Sequence, residues 1–294
     1  MISAPGAFLR LETGLPHEAA LESVTLACIQ FEPVVGEPAA NLAAMERLIR
    51  QARADGASIV VLPELADSGY VFESSEELAR LADTIPGGCS AAFLCGLARE
   101  LAIIIVSGLA ERDGETFYNA AMICGPEGYI GKYRKLHLWN QENRFFRPGD
   151  LGLPVFETAF GPIGIAVCYD GWFPETFRQL ALRGAALVCV PTNWVPFPEN
   201  DPQREPMANV LHKAAAHSNG IYIACADRIG TERGQPFLGS SLIVGPSGWP
   251  VAGPASADRE EIILARLDLS QVRAVRRLND FNDLIGDRRS DVYG

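Results

Sequence analysis

Three side chains in this sequence are of the types that acyl transfer through a thiol needs, and each follows a run that reads as a buried strand. Glu64 comes after Ser58-Ile59-Val60-Val61-Leu62-Pro63, Lys135 after Gly128-Tyr129-Ile130-Gly131-Lys132-Tyr133-Arg134, and Cys168 after Gly164-Ile165-Ala166-Val167. The cysteine is followed by Tyr169-Asp170-Gly171 and then by Pro174-Glu175, a sequence that starts a helix. A strand, a sharp turn and a helix with a thiol at the elbow would lift a nucleophile off a strand end. A free thiol titrates near ~8.5, so at neutral pH it needs a base to ionise it and a donor to hold the oxyanion it creates. A carboxylate and an ammonium supply those two roles.

Singly, each of these residues has an ordinary reading. A Glu after a strand is a solvated loop carboxylate, a Lys beside an Arg is a surface charge, and a Cys in an apolar run is packing. Their shared context makes the set specific, because ligand sites in α/β sheets gather beyond the carboxyl ends of the strands.

The elements that must position them follow from periodicity and punctuation. Strands are expected at 24–31, 58–62, 103–107, 117–124 and 129–132, with a hairpin turn at Asp113-Gly114. Helices are expected at 39–54 and 90–101. The second half repeats the alternation: strands at about 155 and up to Cys168, a helix at 176–183, a strand at 186–190, a helix at 207–218 and a strand at 221–226. A meander follows over 240–244, 249–252 and 261–268, then a short helix over 270–277 with Ser270 as N-cap. Alternating strands and helices with added hairpins predict one α/β domain of mixed sheets covered by helices. The two halves look alike without forming a sequence repeat. Residues 134–150 are polar, aromatic and aperiodic, the mark of a functional segment, and 196–206 form a proline-rich loop.

Composition narrows the field. The chain has 294 residues, 48% of them hydrophobic, and a net charge of -11, so it holds a large core and offers no basic face to nucleic acid. No apolar run approaches the ~20 residues that span a bilayer, so no membrane partner is expected. Residues 1–23 lack the pattern of a secretory signal and read as an N-terminal extension. Seven cysteines without metal-type spacing, several inside apolar runs (Cys28, Cys189 and Cys225), fit a reducing cytoplasmic setting.

These residues, in this order, resemble the carbon–nitrogen hydrolases of the nitrilase superfamily, from Val24 to the C-terminus. Leu62-Pro63-Glu64 is similar to the glutamate motif of that family, Tyr133-Arg134-Lys135-Leu136-His137-Leu138 to its lysine motif, and Gly164 to Asp170 to its cysteine motif. Glu142, with Phe146 and Arg147-Pro148-Gly149-Asp150 after it, resembles the second glutamate. Pro191-Thr192-Asn193-Trp194 and Arg288-Arg289-Ser290-Asp291-Val292-Tyr293 match further segments. The resemblance implies an α/β, four-layer αββα sandwich over residues 24–277, with a C-terminal tail, 278–294, at a subunit interface, and a homodimer or higher homo-oligomer. It implies catalysis by Glu64, Lys135, Cys168 and Glu142, with the backbone N–H of Tyr169 on the oxyanion, and no metal or organic cofactor.

Tyr169-Asp170, where nitrile-cleaving relatives tend to carry Trp-Glu, resembles the amidase and carbamoylase branches. The expected substrate is therefore a small linear amide, with a nitrile or an N-carbamoyl amino acid as alternatives. An ammonia-supplying, glutaminase-like subunit of a synthetase is an alternative of another class. Tyr70, Phe145, Phe146, Trp172, Phe173, Asn193 and Trp194 are candidate pocket residues. Arg144, Arg147 and Arg204 are candidate anchors for a carboxylate-bearing substrate. His137, two residues after Lys135, is a weak candidate base, and His212 and His217, five residues apart, lack helical metal spacing and read as structural or surface.

Overall fold

The computed structural model describes residues 23–197 and 204–293; the N-terminal extension before Ser23 and the middle of the proline-rich loop lie outside them. The first half runs β1 (Val24–Gln30), α1 (Pro38–Ala54), β2 (Ile59–Val61), α2 (Ser75–Leu81), α3 (Cys89–Leu101), β3 (Ile104–Asp113), β4 (Thr116–Gly125) and β5 (Gly128–Arg134). α4 (Glu142–Phe145) follows within the irregular segment. The second half runs β6 (Val155–Phe156), β7 (Ile163–Ile165), a 3₁₀ turn (Cys168–Trp172), α5 (Pro174–Leu182), β8 (Leu187–Pro191), α6 (Met207–Asn219) and β9 (Tyr222–Ala226). β10 (Thr231–Glu232), β11 (Gln235–Pro236), β12 (Leu242–Val244), β13 (Pro250–Ala252), β14 (Glu261–Leu267), α7 (Val272–Arg276) and α8 (Ser290–Tyr293) complete it.

Local signals explain the boundaries. Proline occupies the first turn of α1 and of α5, where its missing N–H costs nothing. The Ser74 side chain caps α2 by accepting from the Glu77 N–H at 3.1 Å. Gly220, at φ 58°, closes α6. One cap differs from expectation. Asp268, not Ser270, caps the C-terminal helical segment, its carboxylate accepting from the Ser270 N–H at 3.1 Å, and that segment begins as a 3₁₀ turn (Leu269–Gln271) before α7. The polar tail is also more ordered than its composition suggests: Leu278 and Leu284 donate their N–H groups to the carbonyls of Asn282 and Arg276, each at 2.9 Å.

Two six-stranded sheets form, in the orders β14-β1-β2-β3-β4-β5 and β13-β12-β9-β8-β7-β6. Each has three parallel strands at its centre (β1-β2-β3 and β7-β8-β9) and antiparallel strands on both sides. The likeness of the two halves is thus one of topology. The period of two in β1 shows the layering: Leu26 and Cys28 pack into the core that holds the second sheet, whereas Ala27 and Ile29 pack with Met45, Leu48 and Ile49 of α1 and Leu94 of α3. On the far side Phe177 and Leu180 of α5 and Ala216 of α6 cover β7, β8 and β9. The result is a four-layer αββα sandwich. Among the described residues, no helix is long and apolar enough to cross a membrane.

The topology already gathers the chemistry at one end. β2 is parallel to β3, and two antiparallel steps bring β5 back to the same direction, so Glu64 and Lys135 leave the first sheet at the same edge. Cys168 leaves the second sheet after β7, next to the end of its parallel neighbour β8.

Close approach fixes one glycine. A Cβ on Gly108 of β3 would lie 2.5 Å from the Glu64 Cα and 2.6 Å from the Leu65 nitrogen, because the turn after β2 folds over it: Gly108 donates its N–H to Pro63 at 3.1 Å and Ala66 donates to Gly108 at 3.0 Å. Gly108→Ala is expected to cost about 1–3 kcal/mol by overpacking and to lower activity by displacing Glu64. Gly96, exposed on α3 with open space at its Cβ, is the opposite case, and Gly96→Ala should gain about 0.8–1 kcal/mol of helix propensity. Urea denaturation of both variants checks the two signs.

Candidate active site

Lys135 is fully buried at the end of β5, and two carboxylates share its ammonium. Its Nζ donates to Glu64 Oε1 at 2.6 Å and to Glu142 Oε1 at 2.7 Å. Glu64 is 0% exposed and Glu142 4%. Asn119 of β4 donates its Nδ2–H to the same Glu64 oxygen at 2.6 Å, and the Tyr70 hydroxyl donates to Glu142 Oε1 at 2.6 Å. Glu142 Oε2 accepts from the Trp139 N–H at 3.2 Å. Glu64 Oε2, buried, has no hydrogen-bond partner among the described residues. The Glu64 backbone is held in turn, since Asn193 Nδ2 donates to its carbonyl at 2.9 Å, a bond from one sheet to the other.

Cys168 opens the 3₁₀ turn with φ 45°, in the left-handed region that costs a residue with a Cβ. Leu65, directly after Glu64, is also left-handed, at φ 49°. Both chemical groups therefore sit on sharp turns that the surroundings hold in place. Asp170 holds the cysteine turn. Its Oδ2 accepts from the Val167 N–H at 2.9 Å and the Tyr133 hydroxyl at 2.7 Å, and its Oδ1 accepts from the His137 N–H at 3.0 Å and meets His137 Nδ1 at 2.8 Å. One buried carboxylate thus ties the cysteine turn to the lysine segment. His137 belongs to that tie: its ring stacks on Phe173, centroids 3.6 Å apart. Beneath the turn lies His212, buried and donating Nδ1–H to the Ala208 carbonyl at 2.7 Å, with its Nε2 where a Cβ on Gly171 would be. His217 is exposed.

The protonation states follow from burial. Burial pushes the Glu64 carboxyl up to about 7, with the Glu142 charge adding to it and Lys135 and Asn119 opposing. Burial disfavours the Lys135 ammonium, but the two carboxylates and the cysteine more than offset it, so the lysine stays charged. Burial, then the Glu64 charge, pushes the Cys168 thiol well up, while Lys135, the Thr192 side chain and the Asn193 backbone pull it down. At rest the site holds a thiol beside a carboxylate and a fixed cation.

Two adjoining cavities reach this region, one at Glu142 and the other at Cys168. A cleft of about 250 Å³ is lined by Tyr70, Phe72, Glu142, Phe145, Phe146 and Arg233 among others. A narrow slot reaches Cys168 between Tyr169, Trp172, Asn193, Trp194 and Phe197. Trp139 and Val195 line both. Of the expected pocket aromatics, Phe173 lines neither, because it is stacked on His137. Trp194 is only 2% exposed, so it lines the slot as part of the core. Neither Arg144, Arg147 nor Arg204 lines either cavity; Arg144 lies against Phe145 instead. Trp139, Phe197 and Arg233 were not singled out from sequence, though the aromatic, aperiodic character of 134–150 pointed towards the first. Among the described residues, no three His, Cys, Asp or Glu side chains gather as a metal site would require.

Asp170 gives this geometry a direct test. Asp170→Ala leaves the Val167 and His137 N–H groups and the Tyr133 hydroxyl without their acceptor, and should cost about 2–5 kcal/mol. Tyr133→Phe removes one of these bonds and should cost about 1 kcal/mol. Thermal unfolding of the two variants checks the order.

Known proteins resemble this chain over most of its length. The family model for carbon-nitrogen hydrolases matches residues 25–277. A nitrilase of Pyrococcus abyssi is 44% identical over 92% of this chain and 99% of its own. An N-carbamoylputrescine amidase of Solanum lycopersicum is 34% identical over 92% and 93%. The crystal structure of an amidase from Nesterenkonia sp. superimposes with a TM-score of 0.74 at 28% identity, covering 91% of this chain and 94% of that one. The four-layer sandwich, the family model and these relatives together show that this chain belongs to the carbon-nitrogen hydrolases of the nitrilase superfamily.

Proposed function

We propose that this protein is an amidase, hydrolysing the C–N bond of a small linear amide to the acid and ammonia through a thioester on Cys168. The observation that carries the reading is the division of labour around Glu64. Its Oε1 is occupied by Lys135 and Asn119, which leaves the buried Oε2 to take the proton of the Cys168 thiol. The thiolate attacks the carbonyl carbon. Lys135 has three N–H donors, two of them committed to Glu64 and Glu142, and the third, with the Tyr169 N–H at the start of the cysteine turn, is available to the oxyanion. Glu64 then gives the proton to the departing nitrogen, and ammonia leaves. Water enters, Glu64 takes its proton, and attack on the thioester releases the acid and the thiol. Glu142 keeps the lysine ammonium in place throughout.

The preference for amides over nitriles rests on Tyr169-Asp170, of which Tyr169 lines the slot and Asp170 faces inward. A second reading, nitrile hydrolysis through the same cysteine, is favoured by the name of the 44%-identical Pyrococcus abyssi relative. N-carbamoyl cleavage is favoured by the name of the tomato relative. Ammonia release from matched amide, nitrile and N-carbamoyl compounds discriminates among them. The amide reading expects the amide to be cleaved fastest, with loss of roughly 10⁴-fold or more in kcat for Cys168→Ala; faster cleavage of the nitrile or of the N-carbamoyl compound overturns it.

The pH profile follows from Glu64. The base must be ionised, so kcat/KM should fall about tenfold per pH unit below an acid limb near 7. The Asn119 hydrogen bond stabilises the charged carboxylate, so Asn119→Leu should move that limb to higher pH. A limb that stays in place or moves down contradicts Glu64 as the base.

A further inference from the structure

The mechanism leaves Cys168 with an uphill ionisation. Burial and the Glu64 charge hold its thiol well up, and Lys135, which opposes them, is engaged with both carboxylates. Donors placed at the sulfur itself would ease the step, and the second sheet supplies two. β7 pairs with β8 in parallel, Ile163 with Leu187, Gly164 with Val188 and Ile165 with Cys189. Carried on past these pairs, the register sets Cys168 beside Thr192. Thr192 is pinned there from both sides. Its N–H donates to the Ala226 carbonyl of β9 at 3.0 Å, and its carbonyl accepts the Glu64 N–H at 3.5 Å. The next residue, Asn193, is tied to the Glu64 carbonyl through its side chain and lines the slot that reaches the sulfur.

The Thr192 hydroxyl serves no purpose in the resting structure. The residue is fully buried, and Oγ1 has no hydrogen-bond partner among the described residues. A buried hydroxyl without a partner costs stability, and a methyl group in its place would not. Its influence falls on Cys168, whose thiol the hydroxyl and the Asn193 N–H both pull down. A protonated thiol is a weak acceptor, so the hydroxyl gains little from it at rest. A thiolate is a charged acceptor, and hydrogen bonds to charged groups are the stronger kind. The gain therefore arrives only as the sulfur ionises, and an interaction stronger along the reaction path than in the ground state lowers the barrier.

Resting on the thioester mechanism above, we propose that Thr192 is a catalytic residue that donates its hydroxyl hydrogen bond to the Cys168 thiolate, with the Asn193 N–H as second donor. The end of β8 is then an anion hole for the sulfur, separate from the Lys135 and Tyr169 donors that serve the oxyanion. The cysteine proton still goes to Glu64, and Thr192 keeps its own. The other groups that act on the sulfur are Glu64 after β2, Lys135 after β5, Tyr70, and Cys225 of β9; a change at Thr192 replaces none of them.

The test compares the wild type with Thr192→Val, which keeps the shape and removes the donor, and Thr192→Ser, which keeps the donor. It measures the rate at which iodoacetamide alkylates Cys168, read on the peptide that contains it, together with kcat for butyramide and the thermal midpoint. The proposal expects alkylation at neutral pH to fall about three- to tenfold in Thr192→Val, the greater nucleophilicity of a more basic thiolate offsetting part of its scarcity. kcat falls with it, Thr192→Ser keeps both near the wild type, and the thermal midpoint of Thr192→Val stays level or rises. A level alkylation rate in Thr192→Val, an equal fall in Thr192→Ser, or a fall accompanied by lost thermal stability overturns it. If the wild type hydrolyses no amide the amidase reading fails, and the alkylation rates still decide the role of Thr192.

Discussion

Three charges removed from water, the Lys135 ammonium between the Glu64 and Glu142 carboxylates, are the constraint on which the rest of the structure depends. Such a triad is costly unless nearly every donor and acceptor is met. Asn119, Tyr70 and the Trp139 N–H meet what the lysine leaves over, and Glu64 Oε2 is the one oxygen of the two carboxylates without a partner among the described residues. The triad carries one net negative charge beside a thiol. Burial, with the Glu64 charge added, keeps the cysteine protonated at rest. The cation is the fixed element, since neither carboxylate can leave it without exposing the other charges to an apolar surround.

The sandwich supplies the stiffness this requires. Glu64 and Lys135 sit at one edge of one sheet and Cys168 at an edge of the other, so their relation depends on how the sheets dock. The Asn193 amide on the Glu64 carbonyl crosses that boundary. Asp170 acts within the cysteine turn and across to the lysine segment. Arg134, one residue before Lys135, forks onto buried Glu111 at 2.8 and 2.7 Å and reaches Asp150 at 2.9 Å, which anchors the end of β5 from the opposite side. Positive φ at both Leu65 and Cys168 is the local cost of aiming the two groups off their strands.

Much of this was legible in the sequence. Apolar runs that stop at Glu64, Lys135 and Cys168 are visible without a structure, and the rule that sites lie beyond strand ends joins them. Most element boundaries follow from periods of two and 3.6, and the four layers are what the resemblance to the nitrilase superfamily implied. What was not legible depends on side-chain direction. Asp170 reads as a polar residue in a turn, yet it points inward and binds four groups from two segments. His137 reads as a possible base, yet it is a partner of Asp170 stacked on Phe173. Arg144, Arg147 and Arg204 were the candidate anchors for a carboxylate, whereas the cation on the cleft, Arg233, comes from a hairpin 65 positions after the cysteine. Ser270 reads as a cap from residue type, but Asp268 is placed to accept first.

The central claim is that the acyl group is carried by Cys168, and the most direct measurement is mass spectrometry of the protein quenched in acid during turnover of a primary amide. The account predicts a peptide containing Cys168 heavier by the acyl group less one hydrogen, absent when substrate is omitted and lost as the amide is consumed. Ammonia release with Cys168 unmodified at every time point, or an acyl group found on another residue, would contradict it.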